Sequence, residues 1–449
     1  MFDANQLAAD TGGKWNKIPE KSISGIETDT RKELDGKLFL ALKGERFDAH
    51  DFLDSAFARG AVLCIDKSGS APAGAHALCV DNTLVAYQNI AKYHRLRMDG
   101  LKLVAVTGSV GKTSVKEMLR AILSEFYGEE NIVYTMGNTN NHIGVPQNLL
   151  RLSPETVAAV IEMGTSSPGE IAVLSEIAVP DVALINSIAP CHLEKLIDLD
   201  GVAREKGDIF KFLKPSGIAV IPGDIRETDL LKHAAGTHRI ITFGDHESEA
   251  DVKSQFIQGS LSGSSFKLYA DSKSFEISWN LTGRHQCRNA AAAAAAALAM
   301  GIPAEIIASA LAKTTLPGMR GKLTSFNGAT ILNDAYNASP ASMAAVLKMF
   351  SEAEINGRHV LLLGTMLELG SESKSEHQKI LSLARTLFPA GNIITVGYGF
   401  EGLTGADIHF PKSSDALETV SSLCTFGTYI LAKGSRGTAL EKALPEEVL

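Results

Sequence analysis

Lys112 and Thr113 stand side by side behind two glycines and ahead of a long amphipathic run, an arrangement suited to phosphate chemistry. The full loop is Thr107-Gly108-Ser109-Val110-Gly111-Lys112-Thr113-Ser114, set between the apolar run LVAV and the helical pattern VKEMLRAILSEF. Between a strand and a helix, backbone N–H groups and the helix N-terminus converge on phosphate oxygens. Lys112 would reach the terminal phosphates and the Thr113 hydroxyl would ligate Mg²⁺. The general phosphate-loop pattern asks for glycine five residues before Gly111, where this chain has Val106, so only half of it is matched. A loop of this kind implies a nucleoside triphosphate and little more.

Four further segments carry polar chemistry. VIEM places Glu162 at the carboxyl end of a predicted strand, where a parallel sheet presents its ligands and a carboxylate can hold Mg²⁺. Taken alone, Glu162 is equally readable as a solvated acid at a loop edge. Asn138-Thr139-Asn140-Asn141-His142 is a dense polar loop, expected after a helix, that can bond phosphate or substrate or simply turn the chain. His192 is either a second metal ligand or a structural side chain. Lys206, in VAREKGDIF, reads by default as a solvated helix lysine.

The elements that must position these residues alternate strand and helix. In VKEMLRAILSEF, Val115, Met118, Leu119, Ile122, Leu123 and Phe126 fall on one helical face. LKLVAV, VAAVIEM, VALIN, GIAVIP and RIITF are strand candidates, with helices between several of them, which predicts a doubly wound, largely parallel sheet. SSFKLYAD and SFEISWNL alternate apolar and polar residues around Asp271-Ser272-Lys273 and predict an appended antiparallel pair. An alanine-rich helix follows from about residue 289 to 300, ending at Gly301. Its small side chains favour tight packing on the sheet over ligand contact. Leu316-Pro317-Gly318 marks a boundary, and ATILND, HVLLLG, NIITVG and YILAKG then predict a second open α/β sheet with helices at 341–350, 373–388 and 413–424. At the front, KLFLAL, HDFLDSAFARGA and VLCID predict strand, helix and strand. Three α/β domains are expected, at 1–98, 99–315 and 316–449.

At 449 residues and 45% hydrophobic, the chain can build several cores. A net charge of −8 argues against nucleic acid or an anionic membrane as partner, so phosphate ligands need local positive sites. Five dispersed cysteines without a Cys-x-x-Cys pair suit reduced thiols in a cytoplasm. The first residues show no signal-peptide pattern, and Ala290–Met300 is too short to span a bilayer.

TGSVGKTSVKEML, NTNNHIGVPQNLL, VIEMG, CHLEKL and VAREKGDIF, in this order, resemble the ATP-dependent Mur ligase family. The likeness continues through LTGRHQCRNAAAA, LPGMRGKL, NDAYNASPASM, LLLGTMLELG and LAKGSRG, and includes TDTRKELDGKLFLALKGERFDAHDF at the front. It implies an N-terminal UDP-binding α/β domain, a central P-loop ATPase domain with a mostly parallel sheet, and a C-terminal Rossmann-like α/β domain. KGERFDAHDF, VKEM, NNHIGVP, AYNAS and KGSRG resemble the branch that joins D-alanyl-D-alanine to a UDP-N-acetylmuramoyl-tripeptide in peptidoglycan synthesis. The Asp-Asn-Pro-Arg signature of the branch adding the third amino acid is not found.

By this resemblance the cofactors are ATP and two Mg²⁺, with Thr113, Glu162, His192 and Lys206 in the metal shell and Lys206 as a carbamate. Lys112, Lys206 and His192 are the expected catalytic groups. Asn289, Arg320, Asp334, Tyr336 and Asn337 are expected at the nucleotide. Thr28, Asp29, Thr30, Arg31, Lys43, Gly44, Asp48 and His50 are expected at the UDP-sugar, and Asn140, Asn141, Lys433, Ser435 and Arg436 at the peptides. A cytoplasmic monomer is expected. Three positions depart from the family pattern: Gln286, Ser339 and Thr365, the last removing a charge from the third domain's ligand edge. Two rival readings remain, a ligase of the same chemistry acting on a folate polyglutamate or cyanophycin-like acceptor, and a nucleotide-binding relative without turnover.

Overall fold

The computed structural model describes residues 1–44, 47–353 and 355–448. Three sheets follow one another along the chain.

The front sheet runs in the order Lys14–Trp15, Ala77–Cys79, Val62–Ile65, Leu38–Leu40, Ile26–Glu27, with only the first pairing antiparallel. The predicted strand, helix and strand are present here as Leu38–Leu40, Leu53–Ala58 and Val62–Ile65.

The middle sheet has nine strands, in the order Lys273–Trp279, Gly263–Ala270, Val252–Ser260, Arg239–Asp245, Ile218–Pro222, Val182–Ile185, Lys102–Thr107, Ala158–Glu162, Ile132–Tyr134. Its first two pairings are antiparallel and the others parallel. Leu103, Val104, Ala105 and Val106 are covered on both faces, as a central parallel strand requires. Helix Lys112–Tyr127 buries Val115, Met118, Leu119, Ile122 and Leu123, whereas Phe126 lies at the surface, edge-on to Tyr127. The alanine helix begins earlier than the sequence predicts, at Arg284, and ends at Ala299. Ala290–Ala297 are fully buried against the phosphate-loop helix and the sheet.

The third sheet runs Lys322–Phe326, Ala329–Asn333, Thr428–Lys433, Arg358–Gly364, Asn392–Val396, Ile408–Phe410, with only the first pairing antiparallel. Seven strands were not anticipated from sequence: Lys14–Trp15, Ile26–Glu27, Ala77–Cys79, Ile132–Tyr134, Val252–Ser260, Lys322–Phe326 and Ile408–Phe410. The Asn138–His142 loop follows the strand Ile132–Tyr134 rather than a helix.

In both larger sheets the polar residues cluster just past the carboxyl ends of three adjacent strands. Those are Lys102–Thr107, Ala158–Glu162 and Val182–Ile185 in the middle sheet, and Ala329–Asn333, Arg358–Gly364 and Thr428–Lys433 in the third. This is where open parallel sheets bind ligands.

Candidate active site

The phosphate loop is held from behind by the strand end that follows Val182–Ile185. Asn186 Nδ2 donates to the Val110 carbonyl and to Asn289 Oδ1, each at 2.9 Å. The Ser187 carbonyl accepts from Ser109 N at 2.9 Å, and Ser187 Oγ accepts from Val110 N at 2.9 Å. Thr107 Oγ1 donates to the Met163 carbonyl at 2.8 Å. Gly111 has φ +79°, and a Cβ there would collide with the side chains of Asn186 and Asn289. Glycine is therefore required at this position on two counts. Asn289 is buried and bonded to Asn186 and Gln286, so the structure places it behind the loop as a support. Gln286 accepts from Asn289 Nδ2 at 3.0 Å, which gives that departure from the family pattern a structural use. Lys112 folds over the loop, its Nζ donating to the Gly108 carbonyl at 2.7 Å. Ser114 is buried in the first turn of the helix.

Glu162 is 1% exposed. Its Oε1 accepts from Asn140 Nδ2 at 2.9 Å and its backbone N–H donates to Thr135 Oγ1 at 2.8 Å. Oε2 is buried with no hydrogen-bond partner among the described residues. An orphaned buried carboxylate oxygen is costly unless a cation or donor meets it. Glu162 thus fits a divalent cation. Among the described residues, no group of three His, Cys, Asp or Glu side chains gathers to hold a metal, so phosphate oxygens would complete such a shell. Asn141 is engaged locally: its Oδ1 accepts from Ile143 N and Gly144 N at the start of the helix Gly144–Leu149.

Lys206 corrects the default expectation of a solvated lysine. On helix Leu199–Gly207 it is 2% exposed, and no hydrogen bond from its Nζ is found among the described residues. Burial pushes its ammonium down to about 8. Cys191 and Glu205 oppose that shift and Lys112 adds to it. Glu205 is otherwise engaged, accepting from Thr165 Oγ1, Gly169 N and Ile171 N at 2.6–2.9 Å.

His192, at φ +50°, places Nδ1 3.1 Å from Glu368 Oε2, a carboxylate that comes from the third sheet. The His192 hydrogen bond, with help from Lys195 and Lys112, holds the Glu368 carboxyl below its ordinary range. Glu368 was missed in the sequence. The signal lay in the LELG segment, but nothing local announces a partner so far along the chain.

A second contact joins the sheets where Arg320 donates to Thr113 Oγ1 at 3.1 Å and stacks 3.9 Å from the Tyr336 ring centroid. Asp334 is paired with Lys433, Nζ to Oδ2 2.5 Å, and Lys433 also donates to the Asn337 carbonyl at 3.0 Å. Lys433 is only 5% exposed in its side chain, so it organises the loop around Asp334 and Asn337 rather than presenting itself to solvent. Ser435 is buried, accepting from Leu367 N at 3.0 Å and donating to the Ala338 carbonyl at 3.1 Å. Arg436 is exposed and paired with Glu441 at 2.6 Å.

Two departures now have structural explanations. Ser339 is the N-cap of Pro340–Glu352, in a capping box with Ser342. Thr365 is fully buried, its hydroxyl donating to the Val396 carbonyl and accepting from Gly399 N. It therefore stands just past the carboxyl end of Arg358–Gly364, as expected, but with its side chain buried in the sheet's packing.

On the front sheet, Thr28, Asp29, Thr30 and Arg31 line a cavity of about 510 Å³ together with Phe47 and Phe52. Arg31 clasps Asp29 with both ends of its guanidinium, at 2.9 and 2.7 Å, holding that carboxyl well below the usual range. Phe47 and Phe52 stack with centroids 5.1 Å apart. Gly44 N donates to the carbonyl of Phe47, one of the lining residues, and Lys43 pairs with Asp48. Glu45 and Arg46 of the same motif lie outside the described residues. Asp48 bridges Lys43 and His50, and His50 is buried between Asp48 and Asp66.

A phosphate loop, a buried carboxylate with an orphaned oxygen, and a third sheet that brings Arg320 onto Thr113 define an ATP-using enzyme built across two sheets. The Mur ligase middle domain matches residues 106–297, and the Mur ligase glutamate ligase domain matches residues 319–436. The chain belongs to the Mur ligase family. It is 37% identical to the UDP-N-acetylmuramoyl-tripeptide–D-alanyl-D-alanine ligase of Escherichia coli (strain K12), over 94% of this chain and 93% of that one. The same-named ligase of Bacillus subtilis (strain 168) is 36% identical over 94% and 93%. The crystal structure of MurF from Acinetobacter baumannii superposes with a TM-score of 0.91 at 34% identity, covering 98% of this chain and 97% of that one.

Proposed function

We propose that this chain joins D-alanyl-D-alanine to UDP-N-acetylmuramoyl-tripeptide at the expense of ATP, forming the UDP-linked pentapeptide precursor of peptidoglycan. The observation that carries the reading is the junction at Thr113. The phosphate loop and Arg320 of the third sheet meet there.

A carboxylate oxygen of the tripeptide attacks the γ-phosphorus and ADP leaves, giving an acyl phosphate. The amine of the dipeptide then attacks the carbonyl carbon, loses a proton, and expels inorganic phosphate. Lys112 offsets charge on the transferring phosphoryl group, and the loop amides fix its position. Arg320 binds from the opposite side, so its contact requires the third sheet to be seated on the middle one. That seating excludes water, which would otherwise hydrolyse the acyl phosphate. Glu162, Thr113 and His192 would hold Mg²⁺, which supplies charge neutralisation at the phosphates. Lys206, buried and with its proton weakly held, is suited to carry a carbamate, which converts a cation into an oxygen anion. The Thr28–Arg31 cavity would take the uridine diphosphate.

No helix of the described residues is long and apolar enough to cross a membrane, and the soluble substrates suit a cytoplasmic enzyme. The test is product mass. With Mg·ATP and D-alanyl-D-alanine, one of the diaminopimelate- or lysine-containing UDP-muramoyl tripeptides should gain one dipeptide. If neither is extended while a folate polyglutamate is, the acceptor assignment fails.

A further inference from the structure

We infer that Glu368 is the anchor for the ammonium group of the incoming dipeptide, a role that rests on the ligase reading above. The γ-phosphoryl group and the tripeptide carboxylate are anions, and the middle sheet meets them with Lys112 in the phosphate loop. The third reactant enters by a positively charged end, which Lys112 repels. A carboxylate near the phosphate loop is what it needs.

Glu368 is placed for this. Its Oε2 is 3.1 Å from His192 Nδ1, and Lys112 and Lys195 lie close enough to act on its charge. Its side chain is 64% exposed, so it remains open to a ligand. Asp334, the other acid that the third sheet carries toward the nucleotide, is already taken by Lys433. Glu162 is buried on the middle sheet and bound by Asn140.

The loop is built to hold this side chain out. Glu368 has φ +64°, an unfavourable conformation for a non-glycine residue, and such strain persists where surroundings over-determine it. Met366 N donates to His377 Nε2 at 2.8 Å, Leu367 N to Ser435 Oγ at 3.0 Å, and Ser435 N to the Thr365 carbonyl at 3.1 Å. Gly370, also at positive φ, packs directly on Glu194 of the helix that His192 begins. The Glu368 loop is thus tied to the Ser435–Arg436 loop, the segment expected from sequence at the peptides.

The test separates the two half-reactions. With tripeptide and Mg·ATP, the acyl phosphate is trapped by hydroxylamine, which is uncharged at neutral pH, and the hydroxamate is quantified by mass. The Glu368→Gln variant should raise the KM for D-alanyl-D-alanine about 30-fold, the range of a hydrogen bond to a charged group. Hydroxamate formation should stay within threefold of the parent, and Glu368→Asp should recover part of the dipeptide affinity. Equal loss of both activities would overturn the anchor and make Glu368 an interdomain strut. An unchanged KM would overturn it as well. If the parent itself forms no hydroxamate, the ligase reading falls and the anchor with it, a result distinct from either of these.

Discussion

Removing the Lys206 charge should stabilise the protein while abolishing its activity. An ordinary lysine titrates at 10.5, and burial pushes this one down to about 8, with no hydrogen bond from its Nζ among the described residues. The difference of about 2.5 pH units corresponds to about 3 kcal/mol at about 1.4 kcal/mol per unit. The sign follows from linkage. Between pH 8 and 10.5 the unfolded chain holds a proton that the folded chain has released, so stability rises as pH climbs through that window. Below 8 both states are protonated and the full penalty applies. Lys206→Met keeps the length and removes the charge, so at pH 7 in CO₂-free buffer it should gain up to about 3 kcal/mol. For a domain of this size that is roughly 6–12 °C in the melting midpoint. Scanning fluorimetry at a series of pH values checks both features: the higher midpoint at pH 7 and the disappearance of the rise between pH 8 and 10. Added bicarbonate should alter the parent alone, because only an amine can form a carbamate. A Met variant that melts lower than the parent, or that keeps the same pH slope, would refute the argument.

Three other outcomes follow from the geometry. Glu162→Gln keeps the shape and the Asn140 contact but removes the charge behind the orphaned oxygen, so ATP-dependent phosphate release should fall at least about 100-fold, with loss of the Mg²⁺ response in a metal titration. Arg320→Ala removes the contact to Thr113 and the stack on Tyr336, and should weaken ATP about 10-fold by calorimetry while leaving the melting midpoint nearly unchanged. Ala293→Leu forces a larger side chain into a fully buried helix face and should cost about 1–3 kcal/mol by thermal denaturation.

Much of the fold was legible because its cues are local. The LVAV run, the glycines of the phosphate loop and the helical face of Val115–Leu123 each depend on residues within a few positions. Glu162 was legible for the same reason, ending an apolar run in a parallel sheet. The missed strands had weak local signals: Ile408–Phe410 is three residues long, and the outer half of Val252–Ser260 is partly exposed and bulged. What sequence could not convey was pairing across long separations. Lys206 reads as a surface lysine on a charged helix, and only the packing of that helix buries it. Asn289 resembles a ligand residue, and its bond to Asn186, more than a hundred positions earlier, has no local sign in the sequence. Glu368 acquires its partner only because two separate sheets present their strand ends to each other.

The central claim is that the tripeptide carboxylate is phosphorylated before the dipeptide attacks. The direct measurement is oxygen transfer, using tripeptide labelled with ¹⁸O in its terminal carboxylate and mass analysis of the phosphate released with Mg·ATP and D-alanyl-D-alanine. Carboxylate attack on phosphorus, followed by cleavage of the carbon–oxygen bond, must carry one labelled oxygen into each phosphate, and a Lys112→Ala control should release none. Pentapeptide formed alongside unlabelled phosphate would contradict the account.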